Sequence, residues 1–341
     1  MRNKLQRKVL RGAMLALSIF SIMMNLMACG GRNTDSKMPV SEPSLVAEST
    51  APVIPEDAVE YRGKYYIPRK NLQTILIMGL DKNEDERPES SIAYTNKMQS
   101  DFLMLLIIDE EAETCDVLHL NRDTMTEIRR LGIGGSETGS FVGQLALAHT
   151  YGSGGSDSCL NAKKAVSDLL GGVWIDHYMT LTMDAVGKIN DMVGGVTLTL
   201  MEDFTEFDPA MKKGAELTLK GEQALAYVRF RMTIGDGLNV SRMKRQEQYL
   251  SAFYTKLIEK NQEDDDFLAR ALMSVNDSFM SDLTVNQLDK LGKNMAAFSL
   301  NPFRSLKGEN VRGEEFYEYY VDADALQETV IDLFFTEMPV D

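Results

Sequence analysis

Several residue types that announce particular chemistries are scarce in this sequence. Its 341 residues hold three cysteines, three histidines and one tryptophan. Three cysteines in a chain this long do not make a disulfide framework. His119, His149 and His177 are scattered and show no metal-ligand spacing. Cations are outnumbered, with 36 Lys+Arg against 51 Asp+Glu and a net charge of −15. A nucleic-acid backbone would be repelled by that field, so no nucleic-acid partner is expected. No internal repeat is present, and one apolar run alone cannot make a multi-pass membrane protein. What remains is ordinary globular material, 44% apolar and 26% charged, with ample length for a sizeable core.

The informative segments begin at the first residues. Arg2, Lys4, Arg7, Lys8 and Arg11 precede an apolar run from Ala13 to Ala28. A basic region, an apolar region and a small residue before a cut describe a secretory signal over residues 1–28. Cys29 follows directly, so the segment resembles a bacterial lipoprotein signal in which Cys29 becomes the lipidated first residue. The alternative is a short signal anchor with Cys29 as an ordinary cysteine. In both readings the rest of the chain sits outside the cytoplasm, beside the outer face of the membrane. Residues 29–71 read as a flexible linker, rich in Ser, Thr, Pro, Glu and Ala over 30–60. One domain is expected from 72 to 341.

Within that domain, Thr74 to Gly79 and Phe102 to Ile108 are continuous apolar runs, the pattern of strands buried on both faces. Thr114 to Leu120 is a third strand, with Cys115 as a small core residue. The Gly-rich stretch Gly132–Gly155 reads as a mobile loop, with Phe141 to His149 helical. A helix is expected from Cys159 to Leu170, ended by Gly171-Gly172. Further strands fall at His177–Leu181, Val196–Met201 and Glu315–Val321. Helices fall after Asp184 and at Gly221–Tyr227, Val240–Lys260, Phe267–Met273, Val285–Phe298 and Asp322–Phe335. Trp174 is expected in the core. The alternation predicts an α/β fold, a mixed central sheet with helices on both faces in an α-β-α sandwich.

A second group of cations lies in residues 227–246, where Arg229, Arg231, Arg242, Lys244 and Arg245 face a single acid, Asp236. Arg229 and Arg231 share a face if the segment is extended. Arg242, Arg245 and Gln246 share a helix face at i, i+3 and i+4. Converging guanidinium groups suit a phosphate-type anion, which Arg grips in bidentate fashion; otherwise they form a solvated face or pair with distant acids. Asp81 follows the first buried strand, Asp101 precedes the second, and Arg122-Asp123 follows the third. Ligands of open α/β sheets bind near strand ends, and carboxylates beside arginines suit a hard divalent cation such as Mg²⁺. Taken singly, Asp81 and Asp123 also read as turn or cap residues.

In this order the segments resemble the LytR–CpsA–Psr family of extracytoplasmic bacterial cell-wall enzymes. The carriers are ILIMGLD ending at Asp81, Ser100-Asp101 with FLMLLIID, and Asn121-Arg122-Asp123-Thr124. They continue through Leu169–Met201, LKGEQALAYVRFR ending at Arg231, the Arg242, Arg245, Gln246 helix and Ser281-Asp282-Leu283. The resemblance implies a phosphotransferase that moves a glycopolymer from a polyprenyl-pyrophosphate carrier to a peptidoglycan acceptor. It implies that Asp81 and Asp101 hold Mg²⁺ (or Mn²⁺). Arg122, Arg229, Arg231 and Arg242 would grip the pyrophosphate, with Gln246 beside them and Arg245 in the same motif. Arg122 and Asp123 would stand at the reaction centre. Where the family often carries Arg and Lys, this chain has Gln99 and Gln144, and Asn121 replaces a proline. Those losses leave open a non-catalytic lipoprotein that binds such lipids or wall polymer, or a pyrophosphate-lipid hydrolase.

Overall fold

The computed structural model describes residues 54–82 and 94–339. Cys29, the signal segment and most of the linker fall outside the described residues. The described residues begin with β1 (Val59–Tyr61), β2 (Lys64–Pro68), β3 (Leu72–Lys82), β4 (Met98–Asp109), β5 (Thr114–Leu120), β6 (Met125–Leu131) and β7 (Glu137–Gln144). They continue through α1 (Ser156–Leu169), β8 (His177–Thr182), α2 (Asp184–Met192), β9 (Val196–Thr199), β10 (Glu216–Leu219), α3 (Gly221–Arg229) and α4 (Asn239–Glu263). Then follow α5 (Phe267–Ser274), β11 (Phe279–Ser281), α6 (Val285–Met295), β12 (Ser299–Leu300) and β13 (Arg304–Ser305). The chain closes with β14 (Gly308–Arg312), β15 (Tyr317–Val321), α7 (Ala323–Phe334) and β16 (Phe335–Glu337).

The seven-stranded sheet runs β11-β8-β3-β4-β5-β12, with β13 also on β5. It is mixed: β3 is parallel to β8 and antiparallel to β4. The apolar runs alternate between two cores. Leu76, Met78, Leu103, Leu105 and Leu118 pack against Cys159, Ala162 and Val166 of α1 and Leu333 of α7. Ile75, Met104, Ile108, Cys115 and Val117 turn the other way, toward Leu250 of α4, Leu272 of α5 and Leu288 of α6. The apolar runs of β3 and β4 are therefore continuous rather than alternating, because both faces are covered. A third cluster joins β9 and β10 to α3 and α4 through Val196, Leu219, Tyr227 and Tyr249.

Four details differ from expectation. Residues 59–68, placed in the linker by composition, form β1 and β2, and β16 from the chain's far end adds to β2. Phe141 to Gln144 is not helical: it belongs to β7 and pairs with Met125–Ile128 of β6, within the stretch expected to be a loop. A short 3-10 turn at Leu145–Leu147 is all the helix found there. The hairpin partner β6 supplies the strand pairing, and Gly139 and Gly143 weaken the helical alternative. Trp174 is not in the core but 75% exposed, its indole N–H donating to Asp176 Oδ1 at 3.0 Å.

Candidate active site

The polar ends of β3, β4 and β5 meet the junction between α3 and α4. Asp81 and Asp101 lie inside their strands rather than beside them, because β3 and β4 both run further than their apolar cores. The register slips there: Gly79 pairs with Phe102, but Leu80 pairs with Ser100, which leaves Asp101 as the extra residue of a bulge. Side chains alternate along a strand, so an unbroken register would put Asp101 on the opposite face from Phe102. A bulge re-aims the extra residue, and here Asp101 and Gln99 both reach Arg122. Arg122 donates through Nη1 to Asp101 Oδ1 and through Nη2 to Gln99 Oε1, the latter at 2.9 Å.

The remaining guanidinium groups find carboxylates as well. Arg229 holds Asp81 in a bidentate grip, Nε to Oδ2 at 2.8 Å and Nη2 to Oδ1 at 2.9 Å. Arg231 donates to Asp123 Oδ2 at 2.9 Å. Arg242 donates to the Asp101 carbonyl at 3.0 Å and lies 3.4 Å from its carboxylate. Burial pushes Arg242 down to about 10, with Asp101 pulling it back up and Arg122 and Arg231 pushing it down. Among the described residues, four arginines thus share the three carboxylates of Asp81, Asp101 and Asp123. Of the readings open for the arginine cluster, pairing with distant acids is what the fold shows.

Arg229 and Arg231 are not on one extended segment. Arg229 is the last residue of α3 and Arg231 lies two residues on, so they reach different carboxylates. The helix end that carries them is capped by side chains from α4. A helix terminus leaves its last carbonyls without intrahelical partners. Arg245 donates to the carbonyls of Tyr227 at 2.7 Å and Phe230 at 2.6 Å, and Gln246 to that of Val228 at 2.9 Å. Arg245 is 1% exposed, pairs with Glu202 at 2.8 Å and lies over the rings of Phe204 and Tyr227. The structure therefore does not gather Arg245 with the other guanidinium groups. It and Gln246 position the Arg229–Arg231 turn from behind.

Asp123 is also buried, at 1% exposure. Its Oδ1 accepts from Gln144 at 3.2 Å and lies 3.5 Å from Arg122 Nε. It holds Arg231 and Arg122 in place rather than facing solvent. Gln144 also donates to the Tyr317 carbonyl at 2.8 Å. Asn121 Oδ1 accepts from Asn239, whose own Oδ1 accepts from Arg242 Nε at 3.0 Å. Asn239, Glu202 and β14 were not anticipated from the sequence, whereas β15 falls in the strand expected at Glu315–Val321. Asn239 alone had a signal, standing at i−3 from Arg242 on one helix.

Beneath this centre, between the sheet and α4–α6, lies an apolar cavity of about 380 Å³. Ile77, Phe102, Met104, Leu250, Phe253 and Leu291 are among its walls. Gly79, Phe102 and Val228 line it too, and their chain neighbours are the charged residues Asp101 and Arg229 and, two residues on, Asp81. Gly79 keeps this corner narrow: a Cβ there would lie 2.9 Å from Phe102 Cβ and 3.2 Å from Met183 Cε. His119 sits against the same Phe102, ring centroids 5.0 Å apart, with Nδ1 3.2 Å from Glu247.

A mixed α/β sheet thus carries an arginine–carboxylate centre next to an apolar cavity. The LytR_cpsA_psr family model matches residues 41–333, and the chain belongs to that family. It is 27% identical over 248 residues to the "Polyisoprenyl-teichoic acid--peptidoglycan teichoic acid transferase TagU" of Halalkalibacterium halodurans, covering 72% of each chain. It is 30% identical over 207 residues to the "Biofilm regulatory protein A" of Streptococcus mutans, covering 58% of this chain. That match spans about half, 47%, of the length of the Streptococcus protein. The crystal structure of B. subtilis TagV shares the fold, with a TM-score of 0.57 at 24% identity over 77% of this chain and 97% of that one.

Proposed function

We propose that this protein is a phosphotransferase that attaches a glycopolymer, carried on a polyprenyl pyrophosphate, to peptidoglycan in cell-wall assembly. The observation that carries the reading is the junction of the charged centre with the cavity at Gly79, Phe102 and Val228. A cavity of about 380 Å³ is within the range of ligand pockets. A prenyl chain fits it, and the pyrophosphate then lies among Arg122, Arg229, Arg231 and Arg242. The relatives' names, teichoic acid transferases acting with peptidoglycan, agree with that chemistry.

Phosphoryl transfer depends on positioning and on neutralising charge in the transition state. The acceptor hydroxyl bonds to the phosphorus on the glycan side, and polyprenyl phosphate leaves. Arg242 is buried and held by Asn239 Oδ1 through Nε at 3.0 Å and Nη2 at 2.6 Å, so its donors need little reorganisation when the charge develops. Arg229 is the most open of the four, its side chain 40% exposed, and is the group best able to swing from Asp81 to the incoming head.

Asp81 and Asp101, two hard carboxylates near the ends of the adjacent strands β3 and β4, are the residues this reading assigns to Mg²⁺ (or Mn²⁺), which they would hold once Arg229 and Arg122 turn to the pyrophosphate. Among the described residues no cluster of three or more metal-ligating side chains occurs. A magnesium ion needs only one or two carboxylates when phosphate and water supply the rest. The ion would neutralise the pyrophosphate oxygens beside these carboxylates. The cationic segment before Ala28 and the cysteine after it fit a chain held at the outer face of the cell membrane, with Cys29 as the lipidation site.

Binding of a polyprenyl pyrophosphate, with and without Mg²⁺, tests the reading. The double substitution Arg229→Ala with Arg231→Ala is expected to abolish binding, and unchanged binding would reject the site. Incubation with lipid-linked glycan and peptidoglycan should then yield a covalent conjugate.

A further inference from the structure

Away from the charged centre, we propose that His149, Cys159 and Met280 form a buried three-donor site for a soft monovalent ion, Cu(I). His149 and Cys159 are both at 0% exposure. Cys159 Sγ lies 3.7 Å from His149 Nε2 and 3.9 Å from Met280 Sδ. The three come from different parts of the fold: Cys159 from α1, Met280 from β11 and His149 from the turn after β7. Cys159 and Met280 pack on the sheet face covered by α1 and α7, and none of the three lines the apolar cavity.

The imidazole is set up as a ligand. Its Nδ1 lies 3.2 Å from the Met98 carbonyl oxygen, which can only accept, so the ring proton sits on Nδ1. The Nε2 lone pair is left, in the core, with a thiol beside it. A carbonyl on the far nitrogen is the usual support of a metal-binding histidine. The spacing suits a trigonal ion. With bonds of about 2.0 Å to nitrogen and about 2.3 Å to sulfur, three donors at about 120° stand about 3.7 Å (N···S) and about 4.0 Å (S···S) apart. Met280, an unbranched and flexible thioether, can close the third edge of the triangle.

Softness and charge select the ion. A thiolate, a thioether and an imidazole favour Cu(I) over hard cations. Among the described residues no three His, Cys, Asp or Glu side chains cluster, so no further donor of those types joins His149 and Cys159 to make a tetrahedral zinc site. Burial pushes the Cys159 thiol up to about 12, which disfavours a bare thiolate there. A monovalent ion that displaces the thiol proton to solvent leaves the charge of the core unchanged, whereas a divalent ion would bury one positive charge. Met280 is part-buried on the edge strand of the sheet, which gives the ion a way in.

Anaerobic titration of the full chain in detergent with Cu(I), read by competition with a chromogenic Cu(I) chelator and by X-ray absorption, tests the site. One ion with two sulfurs and one nitrogen around it is expected. Cys159→Ala should abolish that binding, and Met280→Leu, which conserves core volume, should weaken it at least about tenfold. Cys29→Ala and Cys115→Ala should each leave it unchanged. Cu(I) should raise the thermal midpoint of the wild type but not of Cys159→Ala. No uptake by the folded wild type, uptake that survives Cys159→Ala, equal affinity in Met280→Leu, or Zn²⁺ bound as tightly as Cu(I) overturns the proposal. None of these readouts involves polyprenyl pyrophosphate, so failure here leaves the transferase reading standing.

Discussion

Residues of one type and one motif divide here between binding and support. Arg245 and Arg229 look equivalent in the sequence, yet Arg245 is buried against two carbonyls and Glu202, whereas Arg229 stands part-exposed at the centre. Arg245→Ala leaves Glu202 and two carbonyls without their partner and should cost about 3 kcal/mol in urea unfolding. Arg229→Ala should cost less than about 1 kcal/mol of stability while lowering lipid binding; the reverse pattern would exchange the two roles. Histidine gives a pH test. Burial pushes the imidazoles of His119 and His149 below their usual range. His149 is held neutral between the Met98 carbonyl at 3.2 Å and Cys159 Sγ at 3.7 Å. The unfolded chain protonates near pH ~6.5 while the folded chain resists, so stability is complete above that value and falls as the pH drops below it. The slope is at most about 1.4 kcal/mol per pH unit for each histidine. Urea midpoints at about pH 7.5 and about pH 5.5 should show this loss, and His149→Gln should reduce it. An unaltered slope in that variant would place the pH dependence elsewhere.

Among the elements, α4 does two jobs that its hydropathy alone does not separate. Its first turns cap α3 through Arg242, Arg245 and Gln246, and its later turns wall the cavity through Leu250, Phe253 and Leu257. Filling the cavity should uncouple tail from head. Leu250→Trp is expected to weaken binding of a long-chain prenyl pyrophosphate at least about tenfold, while inorganic pyrophosphate binds as before. Equal loss of both ligands would mean that the head site, not the cavity, had been damaged. The central strands were legible in sequence because burial on both faces gives them continuous apolar runs. The β6–β7 hairpin was not, because Phe141 to Gln144 looks helical until its partner strand is known. The bulge at Asp101 was equally hidden, since register is a property of two strands and not of one.

At the scale of the whole molecule, the acidic balance and the arginine cluster are two views of one arrangement. The chain's net charge of −15 includes the very carboxylates that keep the arginines together before substrate arrives. Its two ends are also used jointly, since β16 completes the small sheet with β1 and β2, and Arg69 donates to Leu333 O at 3.0 Å and pairs with Asp109 at 2.6 Å. Ending the chain after Phe334 should remove that strand and lower the thermal midpoint by several degrees, about 2–4 °C per kcal/mol lost. An unchanged midpoint would show that β16 adds nothing to the fold. By itself the sequence determined the α/β class, the central strands, most of the helices and the family, because apolar period and motif order are local properties. Which arginines gather at the strand ends, which carboxylates pair with them, and whether a cavity lies beside them were decided only by the tertiary structure. Pairing, burial and empty space each need two or more distant segments brought together, and no single stretch of chain encodes them.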